Sequence, residues 1–580
     1  MRAKLLMMSV VCMTTTLIFG QACNCDVTLT GLKSTSLNLI WASQVNYSPG
    51  DTICIPAGSY AGFRFYDFEG TSNSPVTFIN CGGKVEITEH QYSGIAFKRS
   101  KFIRLTGSGD SGYTYGIHVL QTTNGGSVGV GVEDLSTDIE IDHLEIEHVG
   151  FAGIMAKTDP RCSDPNTWRS NGYVLKNLNI HHNYIHDTGA EGIYVGFTGG
   201  YKVKSNRQCN GAYIYGHWLE NVTIKHNILD NIGWDGIQLN LVRSNGVISD
   251  NTITNYGLDN VYAQDFAMSI GGGVYEIYNN YSKNDTIQLG QGYQLISVEG
   301  GTKVYNNVLV RPSLHGMFIH NRHEFDNPLE GYYILNNTII EPEKSGILYN
   351  TVITLTDDPS KMFTSQENVP SYFVNNLIVD PGNDHAAGNT WKGDQESYID
   401  FNKRITRDSA LSRIYTNVMT RQIDTLGLQD IWNDDYSIAS STSALINVGT
   451  DASNWGVNFD FNNDFRISDG NFDVGAYEYQ SVSGSSLKAD IFTNFNALDL
   501  LNTEEKTLFY PNPAQTSFQL FNTKFKGAIQ LQVLSLDGRS LYNGPYKAGT
   551  PFDIEHYQPG VYFLKVHHDK TQETHRLIVR

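Results

Sequence analysis

The 580-residue sequence predicts an all-β chain in which a long parallel β-helix, a solenoid of stacked coils, is followed by a small strand-rich module. Two observations carry the solenoid. IDHLEIEHVGFAGI (141–154), IHHNYIHDTGAEGI (180–193) and IKHNILDNIGWDGI (224–237) align without gaps. From the second copy on, an Asn recurs at one place: Asn183, Asn227, Asn251, Asn280, Asn307, Asn337 and Asn376. Self-similarity on this scale marks a repeat architecture, and because each repeat rests only on its neighbours, length alone does not force several domains. Composition is the third observation: 55 Gly, 33 Tyr and 27 Phe suit a turn-rich chain of strands.

Charge and cysteine narrow the setting. The chain carries 60 acidic and 41 basic residues, a net −19, with no long basic run, which argues against nucleic acid as a partner. Arg2 and Lys4 precede an apolar run at 5–20, and Gly20 and Ala22 suit cleavage before Cys23, so residues 1–22 read as an export signal. No later stretch is long and apolar enough to span a bilayer. Of seven Cys, Cys12 falls in the signal, and the remaining even number in an exported chain favours disulfides. Cys54 and Cys81 lie in the first rungs. Cys162 and Cys209 sit in loops leaving equivalent places on neighbouring repeats, which makes them a candidate bridge. Cys23 and Cys25 are too close together to assign.

Taken in order, residues 23–50 read as a cap over the open end of the coil, where bare strand edges need cover. Residues 51–423 form the helix. In each repeat the period-two rule turns Ile193 and Val195 inward and Tyr194 and Gly196 outward. It likewise turns Ile237, Leu239, Met317 and Ile319 inward, and Gln238, Asn240, Phe318 and His320 outward. One such strand per repeat builds a parallel sheet with neighbours about 4.8 Å apart. The recurring Asn suits a stacked turn, bonding along the ladder and tolerating left-handed backbone. Residues 424–480 end the coil. Their Asp460, Asn462, Asn463 and Asp464 offer oxygen ligands for calcium, but the stretch lacks the Gly and terminal Glu of an EF-hand loop, so a terminating turn is favoured. Residues 481–506 read as a linker and 507–580 as the separate module.

Three stretches carry resemblances. SPGDTICIPAGSYAGFRFYDFEG and the residues up to 87 resemble the opening rungs of right-handed, single-stranded parallel β-helix proteins, many polysaccharide lyases among them; the likeness lies in the coil and not in an active site. SALINVG and DVGAYEY resemble the closing segment common after bacterial β-helices. YPNPAQTSFQL (510–520), LQVLSLDGRSLY (531–542), YQPGVYFLKV (557–566) and HRLIVR (575–580) resemble the type A C-terminal sorting domain of the type IX secretion system. That resemblance implies a small β-sandwich, contact with the type IX machinery, and a protein secreted or held on the outer cell surface.

Chemistry concentrates in the three best-aligned copies. Two residues before the shared Ile stand Ala152, Glu191 and Asp235, and by weaker alignment Gln264, Gln291, His315 and Ser345. Glu191 and Asp235 on adjacent rungs would lie about 5 Å apart. That suits the acid and nucleophile of a glycosidase, half of a calcium site, or a pair of turn acids bonded to backbone amides. His143, His182 and His226 form a second column, with His181, Asp142, Lys225, His148, His186 and Asp187 nearby. It would suit a transition metal, but Asn279, Asn306, Asn336 and Asn375 take over the column, which favours a structural ladder. Insertions at 157–172 and 198–211 bring together Lys157, Arg161, Arg169, Lys202, Lys204 and Arg207. Concentrated cations beside a sheet suit a uronate or sulfated glycan, Arg as a carboxylate clamp and Lys157 as a base if its pKa is lowered. Tyr194, Trp168 and Trp234 would stack on sugar rings, with Gln238 on the same face. The plainer reading is that the loops only cover the coil.

These features predict a secreted carbohydrate-active protein that degrades an anionic polysaccharide as a lyase or glycoside hydrolase, with Glu191, Asp235 and Lys157 catalytic. The alternative is a non-catalytic glycan-binding or adhesion protein; a C5-epimerase is a third reading. Calcium is the one candidate cofactor, polysaccharide the expected ligand, and a monomer the expected state. No complete lyase motif is present, so no catalytic residue carries over from that family.

Overall fold

A computed structural model describes residues 23–480 except 89–91, 121–124, 199–206, 286–288, 321–330, 351, 355–361, 365–370, 385–388, 391–397, 402–412 and 467–469. It also describes 508–579 except 511–516, 522–527, 536–538, 548–549, 551, 555, 558–559 and 569–570. The export signal and the linker thus lie outside the described residues. The chain divides into two compact units, one of residues up to Ile467 with Asn471–Tyr479 and the other of Ser468–Gly470 with the C-terminal residues from Gln480.

Each full rung contains three strands, not the single strand read from the repeats. Val174–His181, Tyr184–Thr188 and Ile193–Val195 make one rung, and Trp218–Lys225, Ile228–Ile232 and Ile237–Asn240 make the next. Corresponding strands pair in parallel, Ile180 with Ile224, Ile185 with Leu229 and Ile193 with Ile237. Stacking of the third strands gives a sheet of 12 strands; the first and second join into one of 23 that bends around a corner. This is a parallel β-helix. Ile180, Ile185, Ile193, Ile224, Leu229 and Ile237 all point into the coil and are fully shielded from solvent, so apolar burial, about 1.5–3 kcal/mol per large side chain, holds each rung to the next.

The corner between first and second strands divides two tasks that the sequence reading gave to one Asn. Each ladder Asn donates from Nδ2 to Oδ1 of the next, in an unbroken series from Asn183 through Asn227, Asn251, Asn280, Asn307, Asn337 and Asn376 to Asn417, at 2.9–3.0 Å. The left-handed backbone falls instead on the residue just before it: His182, His226, Asp250, Asn279, Asn306, Asn336 and Asn375, and His143 at the equivalent place one rung earlier, have φ between 51° and 58°. Short polar side chains tolerate that region best.

Gly precedes the shared Ile for a different reason. A Cβ on Gly192 would stand 2.7 Å from the Gly236 carbonyl oxygen and 2.5 Å from Leu229, and one on Gly236 would stand 2.6 Å from the Ala267 carbonyl oxygen. The rungs approach too closely there for any side chain to fit without displacement.

Residues 23–50 do more than cover the end. Val27–Thr28 and Asn38–Trp41 pair in parallel with the first rungs, and disulfides Cys23–Cys81 and Cys25–Cys54 tie them down. Cys162–Cys209 forms as the loop origins suggested. At the far end Arg466, fully buried, donates to Asn306 Oδ1 at 2.6 Å and to the Ala476 carbonyl at 2.8 Å, locking the closing segment onto the coil. In the second unit, antiparallel strands form sheets of three and four strands, and Phe518, Leu520, Leu531, Val533 and Leu564 from both share one apolar core.

Candidate functional site

The acid pair stands where the coil turns into the 12-stranded sheet. Gly153 N–H donates to the Glu191 carbonyl and Gly192 N–H to the Asp235 carbonyl, both at 3.0 Å, so Ala152, Glu191 and Asp235 are consecutive in one column. The next member is Phe266, because Ile237 pairs with Met268. The expected Gln264 is displaced by two positions, since the longer connection at 257–264 breaks the spacing on which the alignment relied.

Glu191 is 1% exposed and Asp235 is completely buried. Asp235 Oδ1 accepts the Phe266 N–H at 2.8 Å. Glu191 Oε2 and Asp235 Oδ2 are buried without a hydrogen-bond partner among the described residues. An ionised carboxylate so placed is costly, which favours the protonated form. Burial raises Glu191 to about 7, against opposition from its own backbone N–H and from Lys157. Burial raises Asp235 well above the usual carboxylate range; the Phe266 amide and the Ser269 hydroxyl oppose this, and the neighbouring Glu191 and Asp265 charges add to it.

Beside the acids runs the outward row of the sheet, Met155, Tyr194, Gln238, Ser269, Gln294 and Phe318 in register. The expected directions hold, but the face is not open to water: Tyr194, Gln238, Asn240, Ser269, Gln294 and His320 are all buried. Ser269 Oγ donates to Gln294 Oε1 at 3.1 Å. Lys157 Nζ lies 4.1 Å from the Tyr194 ring centroid and 3.3 Å from Asp159 Oδ1. Burial works to lower its pKa, but Tyr194 and Asp159 outweigh that and raise it. Lys157 is therefore held as a cation, and the expected base with a lowered pKa is not what these contacts provide.

The basic loops are spent largely on themselves. Arg161 pairs with Asp134 at 3.1 Å and Asp164 at 3.5 Å. Arg169 donates from Nε to the Gly216 carbonyl at 2.9 Å and lies over the Trp218 ring at 3.8 Å. Trp168 donates from Nε1 to the Arg161 carbonyl at 2.8 Å. These contacts close the loop around its disulfide and do not aim cations at the acids. Arg207 is exposed, in a small hairpin with Ala212–Ile214; Lys202 and Lys204 lie outside the described residues.

One neighbour escaped the sequence reading. Phe151 and Trp234 sit on the rungs either side of Ala190, whose N–H and carbonyl they engage through their own backbones. Their rings meet edge to face with centroids 5.8 Å apart, an arch over the small residue that precedes Glu191. The available signal was the column Phe151, Ala190, Trp234, large–small–large.

Two other clusters read as structure. The His143 and His182 rings are near parallel with centroids 5.5 Å apart, and His182 and His226 are 4.9 Å apart. Burial and then the neighbouring histidines lower His182 to about 4. These rings occupy the left-handed corner that Asn takes later, as a structural ladder would. Asp460 accepts the N–H groups of Asn462, Asp464 and Glu478 at 2.7–2.8 Å, so its oxygens serve a terminating turn.

Residues 508–580 match the family described as the secretion system C-terminal sorting domain, which marks the chain for export by type IX secretion to the cell surface or extracellular space. No curated protein matches the chain. Among solved structures, a crystal structure of pectate lyase Pel9A is similar to it at 12% identity over 77% of this chain and 97% of that one, with a TM-score of 0.38.

Proposed function

We propose that the protein is an exported glycan-cleaving enzyme whose Glu191–Asp235 pair supplies the acid and its partner carboxylate. The observation that carries this is the pairing itself. Two buried carboxyls occupy adjacent rungs, each has an oxygen without a partner among the described residues, and each is raised, Glu191 to about 7. Like charges this close do not ionise together, so one carboxyl keeps its proton near neutral pH to protonate a glycosidic oxygen while the other is its ionised partner. Ladder neighbours about 4.8 Å apart fit the close pair of retaining hydrolysis, about 5–5.5 Å, better than the wider inverting pair. Elimination would need a base and a cation on the uronate; the contacts of Lys157, Arg161 and Arg169 favour hydrolysis over it. Lys157, whose charge acts on Glu191, would have to leave Asp159 to meet an anionic sugar. Because both acids are shielded, substrate reaches them only after neighbouring side chains move, and the Phe151–Trp234 arch offers an adjacent aromatic surface for a sugar ring.

A second reading, glycan binding without turnover, draws on the amide that Asp235 caps and on the near-complete burial of both acids. Incubation with a panel of uronic-acid and neutral glycans separates the two. New reducing ends without the ultraviolet absorbance of unsaturated uronates are the expected result. That absorbance would turn the reading to elimination, and binding without any cleavage across the panel would sink the enzyme.

A further inference from the structure

The outward face of Ile117–Val119, Leu144–Glu147 and Tyr184–Thr188 carries a cluster that the proposed cleavage does not use. Glu147, His148 and Asp187 each offer one ligand atom, and those atoms lie within 4.8 Å of one another. Imidazoles orient both carboxylates. His118 Nε2 is 2.8 Å from Glu147 Oε1, His148 Nδ1 is 2.9 Å from Glu147 Oε2, and His186 Nδ1 is 2.7 Å from Asp187 Oδ2. The other nitrogen of His186 is buried, has no hydrogen-bond partner among the described residues, and lies 3.9 Å from Glu145 Oε1.

A comparable group on the adjoining face is already filled. Glu140, Asp142 and His181 lie equally close together, but Arg104 donates to both Asp142 oxygens at 2.8 and 3.1 Å and lies 3.3 Å from Glu140. A fixed guanidinium stands where an ion would. At Glu147 and Asp187 the only ion-pair partners among the described residues are imidazoles; the nearby Lys84 is paired with Glu145 at 3.2 Å.

Backbone need does not explain the residue types. His148 and Asp187 occupy a left-handed corner with φ of 50°, and in the next two rungs the same corner holds Asn231 and Asn255 at 54° and 49°. Asn meets the conformational demand. Farther along, the same corner holds Arg311, Glu341 and Asp380, so a carboxylate there is not distinctive by itself; His148 and Asp187 are set apart by Glu147 and His118 beside them.

We infer that Glu147, His148 and Asp187 bind one first-row divalent transition ion, with His118 and His186 as positioning residues that hold the carboxylates. The mixed imidazole and carboxylate set suits Zn²⁺ or its neighbours, whereas Ca²⁺ takes oxygen alone. The exposed His148 leaves the remaining coordination positions to water. Histidine bonded to a ligating carboxylate is the outer-shell pattern that sets ligand direction.

Titration of the full exported chain with Zn²⁺ by calorimetry, and with Co²⁺ by its visible absorption, tests the site. One ion per chain is expected. His148→Asn and Asp187→Asn each weaken it at least tenfold, and these variants place at the corner the residue that later rungs already carry. His182→Asn, in the separate histidine row, leaves the affinity unchanged. Absence of Zn²⁺ binding overturns the site. So does binding that survives both corner variants, or that is lost on His182→Asn, or that Ca²⁺ matches in affinity.

Discussion

The rungs at 141–240 and those from 251 to 417 share one backbone plan and differ in what fills it. At the first corner the early rungs place His143, His182 and His226 where the later ones place Asn279, Asn306, Asn336 and Asn375, all with the same left-handed φ. At the entry to the 12-stranded sheet the early rungs place Glu191 and Asp235 where Gln291 and Ser345 stand later. In the later part of that column Phe266, Gln291 and Ser345 carry no titratable group, and burial lowers His315 to about 4. The early rungs add titratable groups that the fold does not require, with buried carboxyl oxygens left without partners among the described residues. A residue that meets only a conformational need and one that does more are told apart by such a comparison within one chain.

The largest effect should come from removing the acids. Glu191→Gln and Asp235→Asn are expected to cut glycan cleavage at least 100-fold while the protein remains folded, as measured by reducing-end assay beside thermal melting. Equal loss on Gln291→Ala, in the later part of the column, would erase the distinction between the two regions.

Next in size is the ladder, which the two regions share, since Asn227 makes the same three kinds of donation as Asn280. Asn280 donates from Nδ2 to the Ile248 and Tyr278 carbonyls at 2.9 Å and to Asn307 Oδ1 at 3.0 Å. Asn280→Ala leaves buried partners unsatisfied and should cost on the order of 3 kcal/mol by denaturant unfolding. A loss below about 0.5 kcal/mol would show the ladder to be incidental.

Glu191 should also make stability depend on pH. Its folded pKa, about 7, lies above its ordinary 4.5, so the folded state holds a proton that the unfolded state releases. Its contribution is complete below about 4.5 and is lost as pH rises through about 7, on the order of 3 kcal/mol. Unfolding measured at pH 4.5 and pH 8 should show that loss, and Glu191→Gln should flatten it.

The smallest effect is expected for His182→Asn, which gives an early rung the later rungs' residue. His182 is lowered from 6.5 to about 4, so the unfolded state takes up its proton first as pH falls, and stability is lost between those values. Near pH 7 the variant should match the parent; near pH 5 it should melt slightly higher. A lower melting point at both would mean that the histidine row supports the coil in its own right.

Much of this was legible in the sequence where the signal was periodic. The ladder Asn, the inward Ile rows, the Glu191–Asp235 column and the Cys162–Cys209 pairing follow from residues recurring at equivalent places. What was not legible depends on contacts between unlike segments. Arg161 and Arg169 look like a cationic wall until Asp134, Asp164, Gly216 and Trp218 are found beside them. The lowered pKa expected of Lys157 is reversed by Tyr194 and Asp159. Cys23 and Cys25 reach Cys81 and Cys54 because two N-terminal strands join the coil, which spacing alone does not reveal. Gln264 failed because one longer connection shifted the register.

The amide ladder stays regular although the chain between successive Asn residues varies from 24 to 44 residues. Connections of any length are absorbed outside the corner, so the coil counts rungs and not residues. A whole turn inserted or deleted would pass each amide on to the next and orphan none, whereas a one-residue slip would break the chain of amides at that point. Growth and shortening of such a protein by entire turns is therefore nearly neutral, and a turn bearing new chemistry is free to arise by duplication of a plain one.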